Sequence, residues 1–293
     1  MSLLERLRER AAGDPARVVL ADLGDPRADA AAARLRDAGL AVVVDPVLDG
    51  DDPMVGPVVE VARGAGLDPD DPVVAATILV RAGRADAAVA GATRPTADVL
   101  RAGLRVMGVS PGASLVSGSM LMVLSDGRVV VFGDCGVVPE PDSAQLASIA
   151  VSSAHTFEHL TGERARVAML SYSTMGSAGG GSVERVREAT SLVRELEPGL
   201  LVDGELQFDA AWVPEVAVAK APDSDVAGRA NVFVFPDLDS GNIAYKVAER
   251  MGGARAIGPL LQGLDGVLHD LSRGCTADEI VDLAVIAGIQ AKG

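Results

Sequence analysis

The run Asp270-Leu271-Ser272-Arg273-Gly274-Cys275-Thr276 places a hydroxyl, a guanidinium, a thiol and a carboxylate within one short stretch. A helical pattern, Ala277 to Ile289, follows it. Thr276 with Glu279 three residues on has the spacing of a capping box, so the Ser-Arg-Gly-Cys turn should lie at a helix N-terminus. Unpaired backbone N–H groups and the positive end of the helix dipole favour a phosphate there. Arg273 adds a planar bidentate donor and Ser272 a hydroxyl. The alternative is an ordinary capped helix with an exposed arginine. Cys275 at such a place could be a nucleophile or a small packing residue supporting the turn.

Two further segments follow short apolar runs that read as strands. Gly91-Ala92-Thr93-Arg94-Pro95-Thr96 leads to Arg101, with Thr96 as the expected cap of the next helix and two arginines at the strand's carboxyl end. Ser171-Tyr172-Ser173-Thr174-Met175-Gly176-Ser177 offers hydroxyls and glycine where parallel strands commonly line a ligand crevice. His155 and His159 stand one helical turn apart, without the carboxylate of a zinc motif, and read as a surface pair; no metal site is expected. There is neither a Ser-His-Asp order nor a Gly-Lys-Ser/Thr phosphate loop.

The elements that must position these residues alternate along the chain. Strands are expected over 17–21, 40–44, 86–90, 167–170, 200–203 and 232–235, and helices over 29–38, 73–82, 143–160, 183–196 and 243–251. Runs 115–124 and 128–132 flank Ser125-Asp126-Gly127, a hairpin signal. The alternation implies an α/β fold with a largely parallel sheet. Of 293 residues, 48% are hydrophobic and only 3% aromatic, so the core is expected to be aliphatic. A net charge of −15 argues against nucleic-acid binding, which needs a basic footprint. Two cysteines, Cys135 and Cys275, make no disulfide framework. No apolar run reaches the length of a membrane span, and the charged start, Met1 to Arg10, lacks the apolar core of a secretory signal. A soluble cytoplasmic protein without membrane partners is expected.

Taken together, the segments resemble the phosphate acetyl/butyryl transferase family. The resemblance runs over roughly residues 75 to 290. It is carried by Gly91 through Pro111-Gly112, Phe132-Gly133-Asp134-Cys135, Met169 through Thr174, Val202-Asp203-Gly204-Glu205-Leu206-Gln207-Phe208-Asp209-Ala210, Ala230 through Leu238 with Gly241-Asn242-Ile243, Ile257-Gly258-Pro259 with Gln262-Gly263, and Asp270 through Cys275.

The resemblance implies a two-lobed α/β fold like that of isocitrate and isopropylmalate dehydrogenases, with a cleft between lobes. One lobe would comprise 1–110 and 262–293, the other, usually dimerising, 111–261. It further implies a homodimer and acyl transfer between phosphate and coenzyme A, with coenzyme A, acetyl-CoA, phosphate and acetyl phosphate as substrates and no permanently bound cofactor. Arg273 would stabilise phosphoryl charge, Ser272 would bond the reacting oxygens, and Glu279 would take the thiol proton. Arg101, Ser173, Thr174, Cys275 and Arg63 would bind substrate. A butyryl or other short-chain substrate, or a non-catalytic module binding acyl-CoA or acyl phosphate, are the alternatives. Three positions depart from the family pattern: Glu279 stands where aspartate is usual, and Met175 where lysine is usual. A basic stretch associated with coenzyme A is shortened to Ala62-Arg63-Gly64-Ala65-Gly66.

Overall fold

The computed structural model describes residues 1–293, which form two compact units. The first comprises Met1–Ala113 and Gly263–Gly293, the second Ser114–Gln262. Elements are numbered along the whole chain.

In the first unit, α1 (Leu3–Gly13), β1 (Ala16–Leu20), α2 (Pro26–Asp37), β2 (Ala41–Val44), α3 (Val55–Gly64), α4 (Pro72–Arg81), β3 (Ala87–Ala90) and α5 (Thr96–Ala102) precede a π-helical turn, Gly103–Met107. After the excursion into the second unit come β10 (Val267–Asp270) and α11 (Ala277–Ala291). The four strands form a wholly parallel sheet in the order β10-β3-β1-β2. β3 is buried on both faces, as a parallel strand covered by helices must be. α2 and α4 begin alike: Asp25 accepts from the Arg27 N–H and Asp71 from the Val73 N–H, and Pro26 and Pro72 occupy the first helical position. α11 is buried from Ile280 through Ile289 and packs on β1, β3 and α2. The two chain crossings are pinned together inside this unit, where Ser110 N–H donates to the Gly263 carbonyl and Asp265 N–H to that of Gly108.

The second unit holds β4 (Ser117–Val123), β5 (Val129–Gly133), α6 (Ser143–Thr161), β6 (Arg166–Leu170), α7 (Gly181–Leu196), β7 (Leu201–Leu206), α8 (Phe208–Trp212), α9 (Pro214–Lys220), β8 (Val232–Val234), α10 (Leu238–Arg250) and β9 (Arg255–Gln262). Its six-stranded sheet runs β7-β6-β8-β5-β4-β9. β7, β6, β8 and β5 are parallel, whereas β4 is antiparallel to both β5 and β9. The expected hairpin is β4–β5; the antiparallel β9 was not foreseen. Its Gly258-Pro259 reads as a breaker, and the sheet takes it up as a register shift opposite Ser119 to Leu121.

The buried core is aliphatic through most of both units, as expected, with one aromatic cluster set against it. Four of the five phenylalanines and the single tryptophan gather on one side of this sheet. Phe132 and Phe233 meet edge to face with centroids 5.6 Å apart, and the Arg128 guanidinium lies 4.0 Å above the Trp212 ring. No helix in the chain is long and apolar enough to cross a membrane.

α10 is half-exposed along most of its length, with Ala244, Tyr245 and Ala248 packed on the sheet's core and Gly241 its one fully buried residue. A Cβ there would overlap the Asp134 carbonyl oxygen and lie 3.3 Å from Cys135 Sγ. Gly241→Ala is therefore expected to lower stability by about 1–3 kcal/mol, the usual cost of overpacking. Urea denaturation checks this, and a variant within 0.5 kcal/mol of wild type would contradict so close an approach.

Candidate active site

In a parallel sheet all strand ends of one sense lie at one edge. In the first unit that edge collects Asp22 after β1, Gly91 to Thr93 after β3, and Leu271 to Cys275 after β10. Thr276 caps α11 in a complete capping box. Its Oγ1 accepts from Glu279 N–H at 3.3 Å, and Glu279 Oε2 accepts from Thr276 N–H at 2.6 Å and from its hydroxyl at 3.1 Å. The turn before it closes through Cys275 N–H to the Ser272 carbonyl at 2.9 Å. Ser272 Oγ accepts from Gly274 N–H at 3.3 Å, which leaves its proton free to donate. Ser272 and Arg273 are exposed, and the Arg273 guanidinium makes no hydrogen bond or ion pair within the protein. An unpaired arginine beside a helix N-terminus is an anion receptor.

What holds this turn was missed in the sequence. Arg27, in the first turn of α2, places Nη1 2.8 Å from the Arg273 carbonyl and 3.1 Å from that of Cys275, with Cys275 Sγ at 3.8 Å. Its Nη2 donates to the Ala92 carbonyl at 2.9 Å, and Asp25 receives Nε and Nη2 at 2.9 and 3.0 Å. One guanidinium thus ties the ends of three strands. Those hydrogen bonds hold the Asp25 carboxyl down at about 2. The local signal was present, since Asp25-Pro26-Arg27 is a cap followed by a first-turn arginine; its partners lie far away in sequence. The buried Asp22 takes Ala92 N–H at 3.0 Å, Thr93 N–H at 2.9 Å and the Thr93 hydroxyl at 2.5 Å, so the loop after β3 is fixed from both sides.

The buried Cys275 supports the turn from within: burial pushes its thiol up to about 11, although Arg27 pulls the other way, so it is not a thiolate nucleophile. The expected Thr96 cap is also corrected. Pro95 occupies the cap position of α5, and the Thr96 hydroxyl is drawn instead to Asp270 Oδ2 at 2.5 Å. Arg101 pairs with Asp98 at 2.7 Å, and both line a pocket of about 210 Å³ with Arg94, Asp68 and Asp71. Arg94 is paired with Asp71. Arg63 stands apart from that lining, on the last turn of α3, bonded to Glu60 at 2.8 Å.

Ser173 and Thr174 belong to the second unit, in the loop after β6, and both side chains are buried. The Ser173 hydroxyl donates to Glu205 Oε1 at 2.7 Å and accepts from Ala178 N–H at 2.9 Å; Thr174 Oγ1 accepts from Gln207 N–H at 3.0 Å. They hold the loop, while Met175 is exposed at its tip with φ +45°. Glu205, 2% exposed, also receives Gly176 N–H at 2.9 Å and Arg187 Nε at 2.8 Å. Burial pushes its carboxyl up, but Arg187, Ser173 and Gly176 together outweigh that and hold it at about 2. Arg187 was not foreseen. Its guanidinium also lies 3.3 Å from the Ala178 carbonyl, so α7 contributes a cation to this loop. On α6, His155 approaches Glu197 at 3.7 Å.

Parallel-strand ends that carry an unpaired arginine and a hydroxyl at a helix N-terminus mark an α/β protein with a turn suited to an anion. The chain belongs to the phosphate acetyl/butaryl transferase family, whose profile matches residues 54–288. The phosphate acetyltransferase of Paracoccus denitrificans is 44% identical to it, in an alignment taking in 100% of both chains. That of Acetivibrio thermocellus is 41% identical, over 100% of this chain and 99% of the relative. The crystal structure of a phosphotransacetylase from Streptococcus pyogenes superposes with a TM-score of 0.91 at 41% identity, covering 99% of this chain and 98% of that one.

Replacing Arg187 by Met leaves Glu205 buried without its counter-charge. The expected cost at pH 7 is about 2–3 kcal/mol, less than for a fully buried pair because a third of Arg187 meets solvent. A carboxyl depressed in the folded state stabilises above its unfolded pKa and loses that contribution as pH falls through its folded value. The gap between wild type and variant should therefore close between about pH 4.5 and 2 in denaturation curves; a gap independent of pH would contradict the ion pair.

Proposed function

We propose that this chain is a phosphate acetyltransferase that moves an acetyl group reversibly between phosphate and the thiol of coenzyme A. The observation that carries the reading is the unpaired Arg273, set with Ser272 in a braced turn at the start of α11. Family membership and the names of the full-length relatives support the same reaction.

In one direction the thiol sulfur attacks the carbonyl carbon of acetyl phosphate, the C–S bond forms and the C–O bond to phosphorus breaks. The thiol proton must leave, and the departing phosphate gathers negative charge. Arg273 stabilises that charge and the Ser272 hydroxyl donates to a reacting oxygen. Glu279 receives the proton; Oε2 is engaged in the capping box, which leaves Oε1 for this role. Arg101 binds coenzyme A in the pocket it shares with Arg94, with Arg63 an outlying contact. Cys275, Ser173 and Thr174 serve substrate binding by shaping the loops they are buried in. No resident cofactor is required. We further read the two units as the lobes of an isocitrate/isopropylmalate dehydrogenase-like fold, and the enzyme as a cytoplasmic homodimer. The exposed stripe Ile243, Val247 and Met251 on α10 supports a second copy as the partner.

Purified protein given acetyl-CoA and phosphate should release thiol, and more slowly with butyryl-CoA; a faster butyryl reaction would replace the acetyl assignment, and no turnover with either would reject transfer. Arg273→Gln should lower kcat by about 10²–10³-fold, the usual loss of one charge-stabilising donor. Glu279→Gln is a selective test, because glutamine also completes a capping box. Unchanged thermal stability with lost turnover is expected, and retained turnover would remove Glu279 from the proton path.

A further inference from the structure

Asp270 is buried at the same sheet edge as Asp22, but its burial is only half answered. Asp22 receives two N–H groups and a hydroxyl. Asp270 is 1% exposed; Thr96 donates to Oδ2, and Oδ1 has no hydrogen-bond partner. Oδ1 lies against bare backbone, where a Cβ on Gly91 would overlap it and come within 2.8 Å of the Leu271 nitrogen and carbonyl oxygen. Gly91 has φ +108°, so glycine is required there twice over.

No cation is bonded to Asp270: Arg273, three residues on, is exposed and makes no bond to it, and Arg94, in the loop after β3, is paired with Asp71. From the loop after β1, Asp22 adds repulsion. On α2, Arg27 is spent on Asp25 and three carbonyls. On α5, Arg101 and Asp98 pair with each other. At the start of α11, Glu279 is engaged by Thr276, Cys275 is a buried neutral thiol, and the exposed Asp278 pairs with Arg34. His269, the preceding residue, bonds Gln290 at 2.6 Å and is kept neutral by burial. A carboxylate kept dry and short of donors is costly, and packing alone would be served better by an apolar residue.

We propose that Asp270 is a positioning residue of the acyl-transfer site: through the Thr96 hydroxyl its ionised carboxylate fixes the start of α5, which carries Arg101, against the strand end that carries Ser272 and Arg273. The 2.5 Å contact is that of a charge-assisted O–H···O⁻ bond, which protonation would weaken. Burial pushes the Asp270 carboxyl up to about 6, with the Thr96 hydroxyl and the Leu271 backbone N–H opposing and Asp22 adding, so the device works above that pH and slackens below it.

This role rests on the transferase reading, and the test separates the two. Turnover of acetyl-CoA with phosphate is followed from pH 5 to 8.5 for wild type, Asp270→Asn, Thr96→Val and Thr96→Ser, with melting temperatures recorded alongside. Wild-type kcat/KM should drop about tenfold to an acid plateau, with a midpoint near pH 6. Asp270→Asn should lie near that plateau at every pH. Thr96→Val removes the bond through which Asp270 acts and should lie near the acid plateau at every pH, as Asp270→Asn does; Thr96→Ser should restore the wild-type profile. A carboxyl raised in the folded state costs stability once ionised, so wild type should lose melting temperature relative to Asp270→Asn as pH rises from about 4 to 6. An acid limb that survives in Asp270→Asn, or a Thr96→Val profile superposing on wild type, would overturn the proposal. A wild type with no turnover but with this melting difference would sink the transferase reading, and the positioning role with it. No melting difference would show that Asp270 does not titrate there, whatever the rates.

Discussion

The turn bearing Ser272 and Arg273 has little of its own to hold it. It is glycine-containing and exposed, and its carbonyls point away from any strand or helix ladder. The Arg27 guanidinium supplies the missing partners by taking the carbonyls of Arg273, Cys275 and Ala92 while Asp25 neutralises it. Five donors in a rigid plane can satisfy three chain segments at once, which a lysine ammonium could not do with the same fixed geometry. With its carbonyls satisfied from behind, the turn can leave the Arg273 side chain unpaired and facing solvent. That freedom is the chemical asset of the site, because a guanidinium already bound to a carboxylate has less to offer a phosphate.

The second unit solves a related problem with the signs exchanged. A buried glutamate, Glu205, gathers donors from Ser173, Gly176 and Arg187 and so shapes the loop after β6. Glu205 can remain ionised in the interior because Arg187 reaches it from α7. Met175 occupies a left-handed position at the exposed tip and brings no charge, so the cation that faces this loop comes from α7, twelve residues further along.

Much of the scaffold was legible because its signals are local. The Asp-Gly turn and the Thr276–Glu279 box announce element ends from neighbouring residues, and each stands where such signals place it. The legible part of the site is likewise the contiguous Ser272-Arg273 turn. Arg27, Arg187 and the Thr96–Asp270 contact were not legible, because each acquires its meaning from a partner that only the fold brings near. Thr96 shows the difference most sharply. Its type and position fit a helix cap, but Pro95 already fills the cap position and a stronger acceptor, a desolvated carboxylate, captures the hydroxyl. β9 failed for another reason, since Gly258-Pro259 breaks a strand pattern unless a bulge absorbs it.

A chain with a net charge of −15 can receive anions only where its acids are already occupied. The strand ends of the first unit meet that requirement unevenly. Asp22 and Asp25 are turned into structural acceptors, and Glu279 shares itself between a cap and an open oxygen. Asp270 alone among them keeps a buried oxygen without a donor. Because it is dry, its charge is poorly screened and would be felt by an anion at the neighbouring turn more strongly than an exposed aspartate's. The burden of that bare oxygen falls on the strand end that carries Ser272 and Arg273, and the Thr96 hydroxyl is the one side chain that answers it.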